Sequence, residues 1–307
     1  MKTKTYGGFQ TANKYLEDEN TLNSAFDRQG YLFLRSVLDT AEVRTVRDDF
    51  VQELQQQGFV NPGCSDPIWS GKDLAEIEDD RLYALDYYAK LLDTSTTQEL
   101  FERLFGEPVY TFRSCTLRYT VQKDEIHGSP PHQDHVYIRH TTDFRTFWIP
   151  LMEIDRNMGG LALAEGSHKL GLREHVEQDV YSYVLKGRRQ KGVALEAIAE
   201  PWLTATYRPG DILMFHPHLL HWGTPNRSNK IRLSVDVRVQ PASSPRSPQV
   251  QTTVLEQRQF RTDALEAATL EGVNPEMLET LVVEMIARGS SPDRAGVREL
   301  LAELSRE

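Results

Sequence analysis

Ile231-Arg232-Leu233-Ser234-Val235-Asp236-Val237-Arg238-Val239 alternates without a break, with branched apolar side chains on one face and Arg232, Ser234, Asp236 and Arg238 on the other. A repeat of two residues is the signature of an extended strand that turns one face to a core. The polar face has two readings. It lies in water, as on a half-exposed antiparallel strand, or it lines a cavity. In the second case the Arg232 guanidinium is suited to grip a dicarboxylic acid end-on through paired, charge-assisted hydrogen bonds, and the Ser234 hydroxyl adds a donor.

Working outward, His221 stands eleven residues before Arg232. The turn formers between them, Gly223-Thr224-Pro225-Asn226-Arg227-Ser228-Asn229, place the two on successive antiparallel strands. Strand parity separates His221 from its neighbours His216 and His218, which fall on the other face. The stretch Pro131-His132-Gln133-Asp134-His135, read as extended, points His132 and Asp134 the same way and sends His135 and Tyr137 to the opposite face. One carboxylate and two imidazoles from His132, Asp134 and His221 make the two-histidine, one-carboxylate triad that binds Fe(II) and leaves the opposite metal face open to exchangeable ligands. A lone His-x-Asp is a weak signal, so its context decides.

That context resembles the phytanoyl-CoA dioxygenase-like family of Fe(II)/2-oxoglutarate oxygenases from about Gly30 to Pro241. The shared pattern is His132-Gln133-Asp134, Phe147-Trp148-Ile149-Pro150-Leu151, Asn157-Met158-Gly159-Gly160-Leu161, Gly166-Ser167-His168-Lys169, Pro209-Gly210-Asp211, then His221, Pro225-Asn226 and Arg232. Glu165 departs from the proline often found before the Gly-Ser-His turn. The resemblance implies metal ligands His132, Asp134 and His221. It also implies a 2-oxoglutarate site with Arg232, Ser234 and Trp148, and hydroxylation of an unactivated C–H bond of a small molecule with O2, in secondary or small-acid metabolism. Asp134 stands where the halogenating variant of such a site needs a small residue. The competing reading is a non-oxidative cupin-like metal enzyme or a ligand-binding jelly roll. His168 comes from a turn and is read as structural.

Composition is consistent with this. A chain of 307 residues with 39% apolar content can bury a cavity-bearing core. Its net charge of −10 argues against nucleic acid or an anionic membrane as the main partner and favours a small molecule. Two cysteines, Cys64 and Cys115, imply a reducing compartment, and with no apolar leader after Met1-Lys2-Thr3-Lys4 and no long apolar run the expectation is a cytoplasmic protein.

Short strand signals from Val109 onward (109–121, 136–138, 144–151, 161–164, 212–215, 231–239) lack interleaved helices. They predict a mainly β fold, a double-stranded β-helix or jelly roll, with helices packed on one sheet. Those helices are read as a short one from Thr21 to Gly30, one opened by Asp39 and Glu42, and two over 81–92 and 97–105, the last with a capping box at Thr96 and Glu99. Residues 61–80 read as a mobile loop, part of a lid. The run Lys186, Arg188, Arg189 and Lys191 is a solvated face or a lid for an anionic substrate, and Arg139 and His140 read as a solvated turn. Residues 1–241 thus form the oxygenase domain. A Ser/Pro linker follows, then a helical extension over 249–307 whose stripes, 278–285 and 297–304, are expected to dock on the barrel or on a second copy as a homodimer.

Overall fold

The computed structural model describes residues 6–85, 87–122, 129–138, 141–181 and 189–306. Lys186, Arg188, Arg139 and His140 lie outside them. The chain divides into two compact units, Met1–Thr111 with Thr116–Ser244, and Phe112–Cys115 with Pro245–Glu307.

The first strands of the larger unit are β1 (Tyr6–Gly8), β2 (Tyr31–Leu34), β3 (Val109–Thr111), β4 (Thr116–Thr120), β5 (Arg145–Pro150) and β6 (Leu161–Ala164). They continue as β7 (Val176–Tyr181), β8 (Arg189–Gly192), β9 (Trp202–Thr204), β10 (Ile212–Phe215), β11 (His221–Gly223) and β12 (Arg232–Pro241). Among the described residues, one sheet runs β1-β9-β6-β11 and a second runs β2-β10-β5-β12-β3, with β4 also paired to β12. This is the jelly-roll architecture. β7 and β8 pair as a separate ribbon.

β12 is the central ladder. It pairs with β5 on one side and with β4 and β3 on the other, and every residue from Arg232 to Gln240 is buried. The charged face of this strand is therefore an interior face, and the half-exposed reading fails. On the opposite side of the same sheet, Phe147 of β5 packs on Phe101 at 4.5 Å between ring centroids.

The helices on this unit are α1 (Glu19–Gln29), α2 (Thr40–Gln56), α3 (Asp79–Tyr83) and α4 (Ser95–Phe105). α1 starts at the Asp18 cap, before Thr21, and ends on left-handed Gly30; α4 is capped by Thr94, not Thr96. The span 81–92 is not one helix, since α3 ends at Tyr83 and a π turn covers Tyr88–Leu92.

Two further expectations change. Residues 136–138 are not a strand: after extended Gln133 the chain tightens into a 3-10 turn over Asp134–Val136. The 61–80 loop is fastened to the β11–β12 connection. Ile231 donates its backbone N–H to Pro67 O, Trp69 donates to Asn229 O, and Lys230 pairs with Asp66 at 2.7 Å.

The smaller unit holds α5 (Pro248–Gln251), α6 (Val254–Leu270), α7 (Pro275–Arg288) and α8 (Arg294–Leu304). Its helix α6, opened by a Thr253–Glu256 capping box, had no clear sequence stripe because its buried face is largely alanine: Ala264, Ala267 and Ala268. These pack with Leu281, Val282, Met285, Val297 and Leu300 in one core. The α7 and α8 stripes thus meet in one core with α6.

The turn before β10 rests on Asp211, whose buried carboxylate accepts from Arg35 Nη1 (2.6 Å), Ser36 N (3.1 Å) and Arg208 N (2.9 Å). Asp211→Ala strands these donors and should lower unfolding free energy by about 2–4 kcal/mol, read as a lower urea midpoint.

Candidate metal and co-substrate site

His132 and His221 face each other across a backbone bridge, His132 N–H to His221 O at 2.9 Å and His221 N–H to His132 O at 3.0 Å. Their rings lie 4.2 Å apart. Each Nδ1 meets a carbonyl, that of Pro130 at 2.7 Å for His132 and that of Leu219 at 3.0 Å for His221. A carbonyl only accepts, so each Nδ1 carries the proton and each Nε2 keeps its lone pair for a metal. Burial, then the neighbouring His132, pulls the His221 pKa down to about 3, which keeps this imidazole neutral.

Both Nε2 atoms lie 3.6 Å from Asp134 Oδ1. The ligand atoms of His132, Asp134 and His221 all fall within 4.8 Å of one another, and all three residues are buried. Asp134 is ionised: burial alone would raise its pKa, but the Arg238 guanidinium and the two imidazoles hold its carboxyl well below the usual range. Two imidazoles with bare Nε2 atoms and one carboxylate, converging on a point, fit a divalent metal ion with open positions.

His221 and Arg232 are consecutive in strand order but lie in different sheets, β11 against β6 and β12 against β5 and β4. They stand on successive strands, as the spacing had suggested, but those strands do not pair with each other. The guanidinium nevertheless returns to β11: a Cβ at Gly223 would stand 3.3 Å from Arg232 Nη2. Arg232 Nη1 donates to Gly159 O and Thr224 O, both at 3.2 Å. The Asn157–Leu161 motif is thereby explained. Gly159 has φ +71°, and a side chain there would strike the backbone oxygens of Thr224 and Pro225.

Ser234 Oγ is buried without a hydrogen-bond partner among the described residues, and so is Thr120 Oγ1, which stands on β4 directly opposite Arg232. Unpartnered buried hydroxyls are costly unless a ligand engages them. With a guanidinium beside them they fit the far carboxylate of 2-oxoglutarate. Trp148 lies on the same interior face, opposite Asp236, with its ring edge-on to Tyr207 at 4.6 Å. Tyr207 in turn feels the charge of Arg232.

The sequence reading missed Thr120, Thr146 and Arg238 as site residues. Parity had put Arg238 on the right face of β12, but only the fold shows that it reaches Asp134. His168 stands apart, donating through Nε2 to Asp27 O, and His135 packs on His218. Of the basic run, only Arg189 and Lys191 fall among the described residues, on β8.

Residues 26–234 match the family model for phytanoyl-CoA dioxygenase (PhyH). The chain is 36% identical over 253 residues to the 1-deoxypentalenic acid 11-β-hydroxylase of Streptomyces arenae, covering 80% of this chain and 89% of that protein. It is 33% identical to the enzyme of the same name from Streptomyces exfoliatus, over the same shares. Among solved structures, the epimerase SnoN with Fe3+, α-ketoglutarate and nogalamycin RO superposes with a TM-score of 0.53 at 21% identity, covering 77% of this chain and 87% of that one.

Gly159→Ala combines a left-handed backbone with a clash against two fixed carbonyl oxygens. It should cost about 2–4 kcal/mol in chemical denaturation.

Proposed function

The chain belongs to the phytanoyl-CoA dioxygenase (PhyH) family of Fe(II)- and 2-oxoglutarate-dependent oxygenases, and from that premise we propose that it hydroxylates an unactivated C–H bond of a small organic acid. The observation that carries the reading is the convergence of His132, Asp134 and His221 within 4.8 Å, beside a guanidinium and two unpartnered hydroxyls. The acid rests on the substrate for which the Streptomyces hydroxylases are named, enzymes more than 30% identical over most of the chain.

In this reading His132 and His221 offer Nε2 and Asp134 offers Oδ1 to Fe(II). Arg232, Ser234 and Thr120 hold the far carboxylate of 2-oxoglutarate, orienting its keto-acid end toward the triad. Trp148 and Tyr207 form an apolar wall that keeps water from this end of the cavity. When bound, the metal supplies the redox chemistry that couples O2 and 2-oxoglutarate breakdown to substrate oxidation. The chain's own part is to position, to keep both imidazoles in the metal-binding tautomer, and to exclude water.

Anaerobic Fe(II) with 2-oxoglutarate should produce the weak visible charge-transfer band of a bidentate chelate. Addition of 1-deoxypentalenic acid and O2 should then yield succinate and a product heavier by one oxygen. Reconstituted protein without the band would remove the oxygenase assignment; a band with no product from this acid would remove only the substrate. His221→Ala should weaken Fe(II) binding by at least about 100-fold.

Ser234→Ala and Thr120→Val each delete an unpartnered hydroxyl, so thermal stability should hold or rise slightly. The dissociation constant for 2-oxoglutarate should rise about 5- to 10-fold, the loss of one hydrogen bond, as titrated by the band.

A further inference from the structure

The two oxygens of Asp134 are treated differently by the protein. Oδ2 accepts from Thr146 Oγ1 at 2.5 Å, from Arg238 Nε at 3.2 Å and from Arg238 Nη2 at 3.1 Å. Oδ1 receives a single contact, from Arg238 Nη2 at 3.2 Å, and is the atom that faces both imidazole Nε2 atoms. A carboxylate oxygen has two lone pairs in its plane, so three donors saturate Oδ2. Arg238 is itself held, since its Nη1 donates to Thr116 Oγ1 at 3.1 Å and its side chain is 8% exposed. Thr116 and Thr146 flank it from the two strands that border β12.

We infer that Arg238, with Thr146, is a positioning residue that confines Asp134 to one-oxygen ligation of the metal. The consequence is a count of coordination sites. Three one-atom ligands leave three of six octahedral positions, two for the 2-oxoglutarate chelate and one beside it. If Asp134 turned to bind through both oxygens, only two would remain, and chelation would close the site. The fork of Arg238 suits this role better than a lysine would, because two N–H vectors from one rigid plane fix the carboxylate's rotation as well as its charge.

The inference rests on the triad reading above, and its test separates the two. Arg238→Met, Arg238→Lys and Thr146→Val are compared with wild type and Thr146→Ser by anaerobic titration with Fe(II), then 2-oxoglutarate, then nitric oxide as a probe of the remaining position. Wild type and Thr146→Ser should show the chelate band and the high-spin nitrosyl resonance. Arg238→Met and Thr146→Val should bind Fe(II) yet need at least tenfold more 2-oxoglutarate, or lose the nitrosyl signal of the chelated form. Arg238→Lys should restore only part of it. A lower melting temperature with 2-oxoglutarate and nitric oxide titrations like wild type would make the contact merely structural and overturn the inference. If Arg238→Met does not fold, Thr146→Val against Thr146→Ser decides alone. Absence of the band in wild type would sink the oxygenase reading and this inference together.

Discussion

The reciprocal backbone bridge between His132 and His221 is the constraint on which the site depends. An antiparallel pair that exchanges both hydrogen bonds holds its Cα atoms about 5.5 Å apart and turns both side chains to one face. Two imidazoles far apart in sequence thus arrive side by side, and the carbonyls of Pro130 and Leu219, each two residues back along its own chain, select the tautomer that leaves Nε2 bare. Asp134 follows from the same bridge, because the extended stretch ends at Gln133 and the next residue enters a tight turn beside the pair.

A second constraint is charge. Asp134 and Asp236 are buried on one interior face with Arg232, Arg238 and, partly covered, Arg118. Isolated, any of them would be expensive to remove from water. Paired, they form a row: Arg238 on Asp134, and Arg118 on Asp236 at 2.7 Å. Arg232 is placed instead by carbonyl dipoles from the Gly159 and Thr224 turns, and the unpartnered Ser234 and Thr120 hydroxyls stand near it. The protein thus separates an end of the face where guanidinium and carboxylate are paired from an end where Arg232 meets only carbonyls among the bonds described.

The peripheral motifs serve this arrangement. Asn226 fixes the turn between β11 and β12 by donating to Thr120 O and Lys230 O, and the 61–80 segment is tied to the same turn. Asp211 anchors the entry to β10, which pairs with the strand carrying Thr146 and Trp148. In the smaller unit the helices close a core of their own, and among the described residues no helix is long and apolar enough to cross a membrane.

Sequence alone determined the residue types and their parity. His132, Asp134 and His221 were legible because a metal needs particular donor atoms, and the interior face of β12 was legible because a strand repeats every two residues. Its burial was not, since period two is the same whether the polar face meets water or a second sheet. Only tertiary structure decided that His221 and Arg232 occupy different sheets, that Arg238 and Thr146 reach Asp134, and that Thr120 stands opposite Arg232. The first is a matter of sheet order and the others are contacts made across strands and turns in the folded chain, so no local pattern encodes them. The alanine-faced α6 was hidden for the complementary reason: alanine packs closely without the hydrophobic stripe that makes an amphipathic helix visible.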